Sequence, residues 1–318
     1  MRSDSTPKPP RDARVVVVGG ANTDVVGIPA GVLVPRDSNP GHVRLSAGGV
    51  ARNIAENLAR LGVETHLITA FGSDPASSEL AAACQLAGVD VGASLIAEGL
   101  PGARYLAIVD ETRDLAVAVN DMRVLDLLTP EALEADARME LLAAATLVVA
   151  DANLPAATLV WLATHVSAPL VLDTVSAAKA PRAAAILGQL AAIKTSALES
   201  GALLGRRVED LADARSAAEE LVARGVGAAF VSCGPAGAAW ADGGASGTLP
   251  APDVTVASTN GAGDAFAAGV TYGLLTDVGT ETAARLGSAV ASIALEDEET
   301  VSSRVSLEAV AARMKERA

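Results

Sequence analysis

The chain reads as an α/β protein: a three-layer α/β/α core built on a mostly parallel sheet, with a small β-sheet lid. Three observations predict this. Short apolar runs ending in Gly or Asp recur along the chain, beginning with "RVVVVGG" at residue 14 and continuing as "THLITAFG", "TLVVAD", "PLVLD" and "AAFVSCG". Uninterrupted apolar runs of this length suit strands covered on both faces. Between them lie alanine-rich amphipathic stretches such as "GVARNIAENLARLG", where Val50, Ile54, Leu58 and Leu61 share one helical face. Such strand–helix alternation builds a parallel sheet with helices on both sides. Two segments break the rhythm. Residues 25–46 are rich in Pro, Gly, Ser and Asp, and residues 100–121 read as two short strands around the polar turn "DETRD". Together they predict a small extra sheet over one end of the core.

The first 13 residues are polar and proline-containing and read as a disordered tail, leaving one domain over 14–318. Half of the residues are apolar but only 2% are aromatic, so the core is built from Ala, Val and Leu. With 24 basic and 38 acidic residues, the net charge of −14 argues against nucleic acid as a partner. Cys84 and Cys233 are far apart and lack metal spacing, which suits a reducing cytoplasm and excludes a disulfide framework. The uncharged run 152–172 contains Pro155, His165 and Pro169 and divides into a helix and a strand, so a soluble, non-membrane protein is expected.

Ligands of open α/β sheets bind beyond the carboxyl ends of the strands, and Asp24, Asp74, Asp151, Asp173 and Gly234 fall near such ends. Four segments near these ends carry candidate chemistry. In "STNGAGDAFAAG" (258–269), the bare amides of Gly261, Ala262 and Gly263 open a helix and suit an anion. Asp264 beside them has two readings: a helix N-cap, or a base that takes a proton from a hydroxyl attacking a phosphate. In "SAGGVARNIAENLARLG" (46–62), Gly48 and Gly49 precede a helix on which Asn53 flanks the apolar stripe. Its amide suits sugar hydroxyls, although a glycine hinge with a solvent-facing Asn fits equally. In "VSCGPAGAAW" (231–240), Ser232, Gly234 and Gly237 admit a nucleotide or simply make a hairpin turn. In "IKTSALES" (193–200), Glu199 reads either as an exposed helical residue or as a water-mediated magnesium contact. The chain lacks a P-loop motif and G-x-G-x-x-G, and His42, His66 and His165 lack metal spacing.

In this order, "GGANTD", "GGVARN", "FGSD", "SCGPAG" and "NGAGD" resemble the ribokinase-like, phosphofructokinase-B-type sugar and nucleoside kinases over nearly the whole chain from Arg14. The resemblance implies ATP and magnesium as partners and phosphorylation of a hydroxyl. It assigns the base to Asp264, the anion hole to Gly261, Ala262 and Gly263, and sugar binding to Asp24, Gly48, Gly49 and Asn53. Lys194, Ser232, Gly234, Gly237 and Asn260 become nucleotide contacts, and Glu199 a magnesium contact through water. Within the family, "DSNPGHVRLSAGGVARN", "AVNDM" and "DTVSAAK" look like members that phosphorylate pseudouridine at its 5′-hydroxyl. That similarity places Ser38, Asn39, Asn120, Asp121 and Lys179 near the nucleoside. Ribose, another nucleoside and a hexose phosphate stand as alternative acceptors, and a nucleotide sensor without catalysis as a further reading. A phosphorylated acceptor needs basic lid residues, for which Arg36, Arg44, Arg104 and Arg113 are available. Three departures from the family pattern stand out. Lys194, Thr195 and Ser196 replace the usual Asn-Pro-Asn, Asn260 replaces a threonine, and Ala257 stands where many relatives carry an aspartate of the monovalent-cation loop. The last leaves potassium dependence open. Relatives also imply a homodimer paired through the lid.

Overall fold

The computed structural model describes residues 8–315. A nine-stranded sheet forms the middle layer. Its strands are β1 (Arg14–Val18), β4 (Glu64–Ile68), β6 (Val89–Asp90), β10 (Leu147–Asp151), β11 (Leu170–Asp173), β12 (Ala192–Ser196), β13 (Ala228–Ser232), β14 (Ala238–Asp242) and β15 (Ser246–Leu249). They are arranged β15-β14-β13-β12-β11-β10-β1-β4-β6, parallel from β13 to β6 and antiparallel at β14 and β15. The expected apolar runs are thus strands.

β1 shows why the sheet is covered twice. Its four valines are fully buried, and since successive side chains point to opposite faces they feed two separate cores. Val15 and Val17 join the cluster containing α1 (Val50–Arg60), α2 (Pro75–Leu86), α8 (Ala262–Leu275), α9 (Thr280–Leu295) and α10 (Leu307–Lys315). Val16 and Val18 join the cluster containing α3 (Pro130–Leu133), α4 (Asp136–Ala143), α5 (Ala156–His165), α6 (Ala197–Leu204) and α7 (Leu211–Ala223). The uncharged run from 152 is α5 followed by β11, and no helix among the described residues is long and apolar enough to cross a membrane.

The lid is a four-stranded sheet in the order β3-β2-β8-β9, from β2 (Asn22–Pro29), β3 (Gly41–Gly48), β8 (Arg104–Val109) and β9 (Leu115–Asp121). Register aligns Ser46, Asp24, Tyr105 and Asn120 in one row across it. A two-stranded ladder, β5 (Ala70–Gly72) with β7 (Leu95–Ala97), lies outside both sheets. Of the expected tail, residues 1–7 lie outside the described residues. Residues 8–13 are described, and Ala13 is buried in the first core, so the folded body begins before Arg14.

Low aromatic content is offset by close helix approach. Where α8 passes α9, a Cβ on Gly269 would lie 2.7 Å from both the Gly287 Cα and the Leu286 carbonyl oxygen. That is backbone against backbone, which cannot yield as a side chain can. Gly269→Ala is therefore expected to lower stability by about 1–3 kcal/mol, measured by urea denaturation.

Candidate active site

The site is assembled where the carboxyl ends of β1, β10, β11 and β12 meet the N-termini of α1 and α8. Asp151, at the end of β10, is fully buried and accepts four hydrogen bonds. The donors are Gly20 N (2.9 Å), Ala51 N (3.0 Å), Asn153 N (2.9 Å) and Asn153 Nδ2 (2.9 Å). Burial pushes its pKa up while these donors oppose the shift. One carboxylate thus ties the loop after β1 to the start of α1. Gly49, the N-cap of α1, has φ 102° and a Cβ there would run into the Gly20 carbonyl, so both conformation and space demand glycine.

Asn53 does not face solvent. It is buried, and its Nδ2 donates to Asp264 Oδ2 at 2.7 Å. Asp264 is the third residue of α8, whose N-cap is Gly261, so the capping reading of Asp264 fails. Its carboxylate points instead toward α1. Burial raises its pKa to about 7, with the negative charge of Asp173 adding to the rise and Lys194 and Asn53 opposing it. Beside it, the amides of Gly263 and Asp264 belong to the first helical turn, where no intrahelical acceptor exists. Gly261 is required for another reason than phosphate access: its φ is 75° and a Cβ would run into the Thr300 carbonyl. At Gly263 a Cβ would sit 3.1 Å from Lys194 Nζ.

Lys194 is buried in the middle of β12 and pairs with Asp173 at 3.0 Å. Burial alone would lower its pKa, but the charges of Asp173, Glu199 and Asp264 hold it above the ordinary lysine value. Glu199 is not the exposed helical residue of the plainer reading. It is half-buried at the third position of α6, where Ser196 and Glu199 form a capping box and Glu199 Oε2 also accepts from Thr174 Oγ1 at 2.6 Å. No group of three or more His, Cys, Asp or Glu among the described residues forms a metal cage. Carboxylates gathered around Lys194 beside an anion hole nonetheless fit magnesium, which keeps its waters and relies on one or two carboxylates plus substrate phosphates.

Three cavities adjoin this centre. One of about 480 Å³ is lined by Ser196, Ser232, Gly234, Gly237, Ala262 and Gly263, with apolar walls including Phe266 and Leu295. It gathers most of the expected nucleotide contacts, and β13 and β14 do form an antiparallel hairpin around it. A second, of about 560 Å³, lies under the lid between Val26, Arg44, Tyr105 and Arg113 on one side and Ser258, Thr259 and Asn260 on the other. Asn260 therefore faces the lid cavity. The third, of about 500 Å³, brings together Asn120, Asp121, Asn153 and Lys179, with Lys179 Nζ donating to Asn153 Oδ1 at 2.5 Å. Burial lowers the Lys179 pKa.

Asp24 bonds Asn22 Nδ2 at 2.6 Å and presses on Gly48, where a Cβ would collide with its carboxylate. Gly48 is thus small for Asp24's sake. Burial raises the Asp24 pKa. Ser38 and Asn39 are not brought to these cavities. They lie in the exposed loop between β2 and β3, where Asn39 spends its amide on the backbone of Val34 and Asp37. Asp121 reaches the third cavity but is ion-paired with Arg123 at 2.6 Å, which holds its pKa down at about 2. Asn153, Arg52 and Tyr105 escaped the sequence reading of the site, and Asp151 and Asp173 entered it only as acids near strand ends, without a role. For Asp151 and Asp173 the signal was present, an acid closing a buried strand; for the others the sequence alone gave none.

A buried carboxyl beside helix amides, at the junction of a nucleotide-sized cleft and a lidded cavity, fits a phosphotransferase acting on a hydroxyl. The pattern of the pfkB family carbohydrate kinases matches residues 12–306, and the chain belongs to that family. It is 34% identical to the pseudouridine kinase of Escherichia coli (strain K12) over 80% of this chain and 82% of that one. It is 35% identical to an uncharacterized sugar kinase, YeiI, of the same strain over 87% of this chain and 77% of that one. Among solved structures, a carbohydrate kinase from Agrobacterium tumefaciens superposes with a TM-score of 0.84 at 30% identity, covering 95% of this chain and 97% of that one.

Asp264 has a testable energetic signature. Its folded pKa of about 7 lies above the ordinary 3.8, so the folded state binds the proton more tightly than the unfolded chain. Through this group, stability falls as pH rises from about 4 to about 7. Asp264→Asn removes that dependence, so thermal melts are expected to show the variant gaining several degrees over wild type at about pH 8 and less at about pH 5.

Proposed function

We propose that this kinase transfers the γ-phosphoryl group of ATP to the 5′-hydroxyl of pseudouridine. The observation that carries the chemistry is the Asp264 carboxylate, held by Asn53 beside the free amides of α8. Asp264 takes the proton from the attacking hydroxyl. The amides of the first turn and the Lys194 ammonium meet the charge on the phosphoryl group in transit. Bound magnesium, with Glu199 and Asp173 as the residues placed to reach it through water, would neutralise charge on the phosphates. Adenine suits the apolar walls of the cleft around Phe266 and Leu295.

A nucleoside acceptor is supported by the lid. Tyr105 is the register partner of Asp24 on the neighbouring strand, so a ribose held by Asp24 would have its base within reach of an aromatic ring. Asn120 extends the same row, and Lys179 and Asn153 supply polar groups in the adjoining cavity. The 34% identity to pseudouridine kinase over most of both chains agrees with this acceptor. A phosphorylated sugar is the second reading. It is favoured by Arg44 and Arg113, which both line the cavity under the lid, whereas Arg104 is engaged by Asp74 at 2.9 Å.

The outer face of the lid carries exposed Val43, Leu45, Leu106, Val117 and Val119, an apolar surface suited to pairing two copies lid to lid. Leu45→Asp with Val119→Asp is expected to shift sedimentation from dimer to monomer; a wild type that is already monomeric would discard the pairing. The free thiols of Cys84 and Cys233 fit a reducing, cytoplasmic setting.

ATP consumption measured across pseudouridine, uridine, adenosine, ribose and hexose phosphates tests the acceptor. Pseudouridine is expected to give the highest kcat/KM, and preference for a hexose phosphate would install the second reading. On the preferred acceptor, Asp264→Asn is expected to cost about 10²- to 10⁴-fold in kcat. The wild-type kcat/KM is expected to fall as pH drops through about 7, where the base becomes protonated.

A further inference from the structure

Arg52 stands beside Asn53 on α1, buried at 6% exposure, and the mechanism so far gives it nothing to do. Its Nη1 donates to Asn53 Oδ1 at 2.8 Å and to the Ala47 carbonyl at 3.0 Å, while Nη2 pairs with Glu56. Ala47 is the next-to-last residue of β3, where the lid strand enters the Gly48–Gly49 hinge. The same guanidinium lies near Asp24 on β2 and the buried thiol of Cys84 on α2.

We propose that Arg52 is a positioning residue for phosphoryl transfer, fixing the Asn53 amide with its nitrogen on Asp264 and tying that amide to the hinge end of the lid. The inference rests on Asp264 being the base. A guanidinium can only donate hydrogen bonds, so the amide oxygen must turn toward it. The amide nitrogen is then left for Asp264, and an N–H donor there is satisfied by a carboxylate. Without Arg52 the amide is free to turn over. Its oxygen would then face Asp264, where only the protonated carboxyl can bond to it. Arg52 thus selects the ionised form that a base requires. Lys194 on β12 favours that form too, while Asp173 and Asp151, at the ends of β11 and β10, oppose it. A purely structural ion pair with Glu56 would leave the Asn53 amide indifferent.

Arg52→Lys keeps a charge opposite Glu56 but cannot span three acceptors with a planar fork. Arg52→Met combined with Glu56→Gln removes both charges together, leaving neither buried and unpaired. Each is compared with wild type on the acceptor that wild type uses best, between about pH 5 and pH 9. For both we expect kcat/KM at neutral pH to fall about 100-fold, the scale of an ångström-sized misplacement. The acid limb of the profile is expected to move up by about one pH unit, the worth of one lost hydrogen bond. In an Asn53→Ala background the same substitutions are expected to cost little more, since the amide they orient is gone. A folded Arg52→Lys enzyme whose acid limb stays in place, with a loss that adds fully to that of Asn53→Ala, overturns the proposal. Arg52→Lys decides alone if the double variant does not fold. Absence of phosphoryl transfer by wild type to any acceptor would sink the kinase mechanism, whereas an active wild type with unmoved variants sinks only the role of Arg52.

Discussion

The hydrogen bond from Asn53 to Asp264 joins residues 211 positions apart and is the contact on which the site depends. It brings the N-terminus of α1, from the first βα unit, against the N-terminus of α8, near the end of the chain. The α1 amides of Ala51 and Arg52 are spent on Asp151 and the Gly20 carbonyl, so the first-turn amides left without an intrahelical acceptor beside Asp264 are those of α8. The two helix N-termini also create a setting in which a carboxylate can be withdrawn from water yet stay partly ionised near neutral pH. Move either helix and Asp264 loses both its partner and its distance from the α8 amides.

Holding that carboxylate is an electrostatic compromise. Asp151, Asp173, Glu199 and Asp264 converge on the strand ends with Lys194 at their centre, and most of these groups are poorly solvated. Their roles separate by hydrogen bonding. Asp151 is saturated by four donors and acts as a structural anchor. Glu199 is partly consumed by its capping box and Thr174. Asp264 accepts one amide bond and keeps capacity for a proton. Carboxylates thus become saturated anchor, cap and proton-accepting candidate through their neighbours alone.

The lid repeats the principle in a sheet. Alternation along β2, β3 and β8 places Asp24, Ser46 and Tyr105 on the face toward the core, and leaves Leu45, Val43 and Leu106 outside. One ladder therefore presents a polar row toward the core and an apolar outer surface. Its attachment runs through Gly48, Gly49 and the Arg52 bond to Ala47, so lid and base share a few residues of α1.

The strands, the helices and the kinase motifs were legible from the chain because each is a local pattern: valine runs, 3.6-residue apolar spacing and glycine clusters before helices. G-A-G-D pointed to Asp264, and G-G-V-A-R-N to Asn53, without any coordinates. Several physical reasons were not legible. Gly261 answers to the Thr300 carbonyl and Gly48 to Asp24, which are contacts between distant segments. Asn39 resembled a lid ligand in sequence, yet its amide closes its own loop. Periodicity thus determined an α/β sheet fold, and the resemblance of its motifs to the pfkB family singled out Asp264 as the candidate base. Only tertiary packing decided which acids became anchors, which amide faced Asp264, and that Arg52 would bond that amide, because burial and hydrogen-bond direction exist only once remote segments meet.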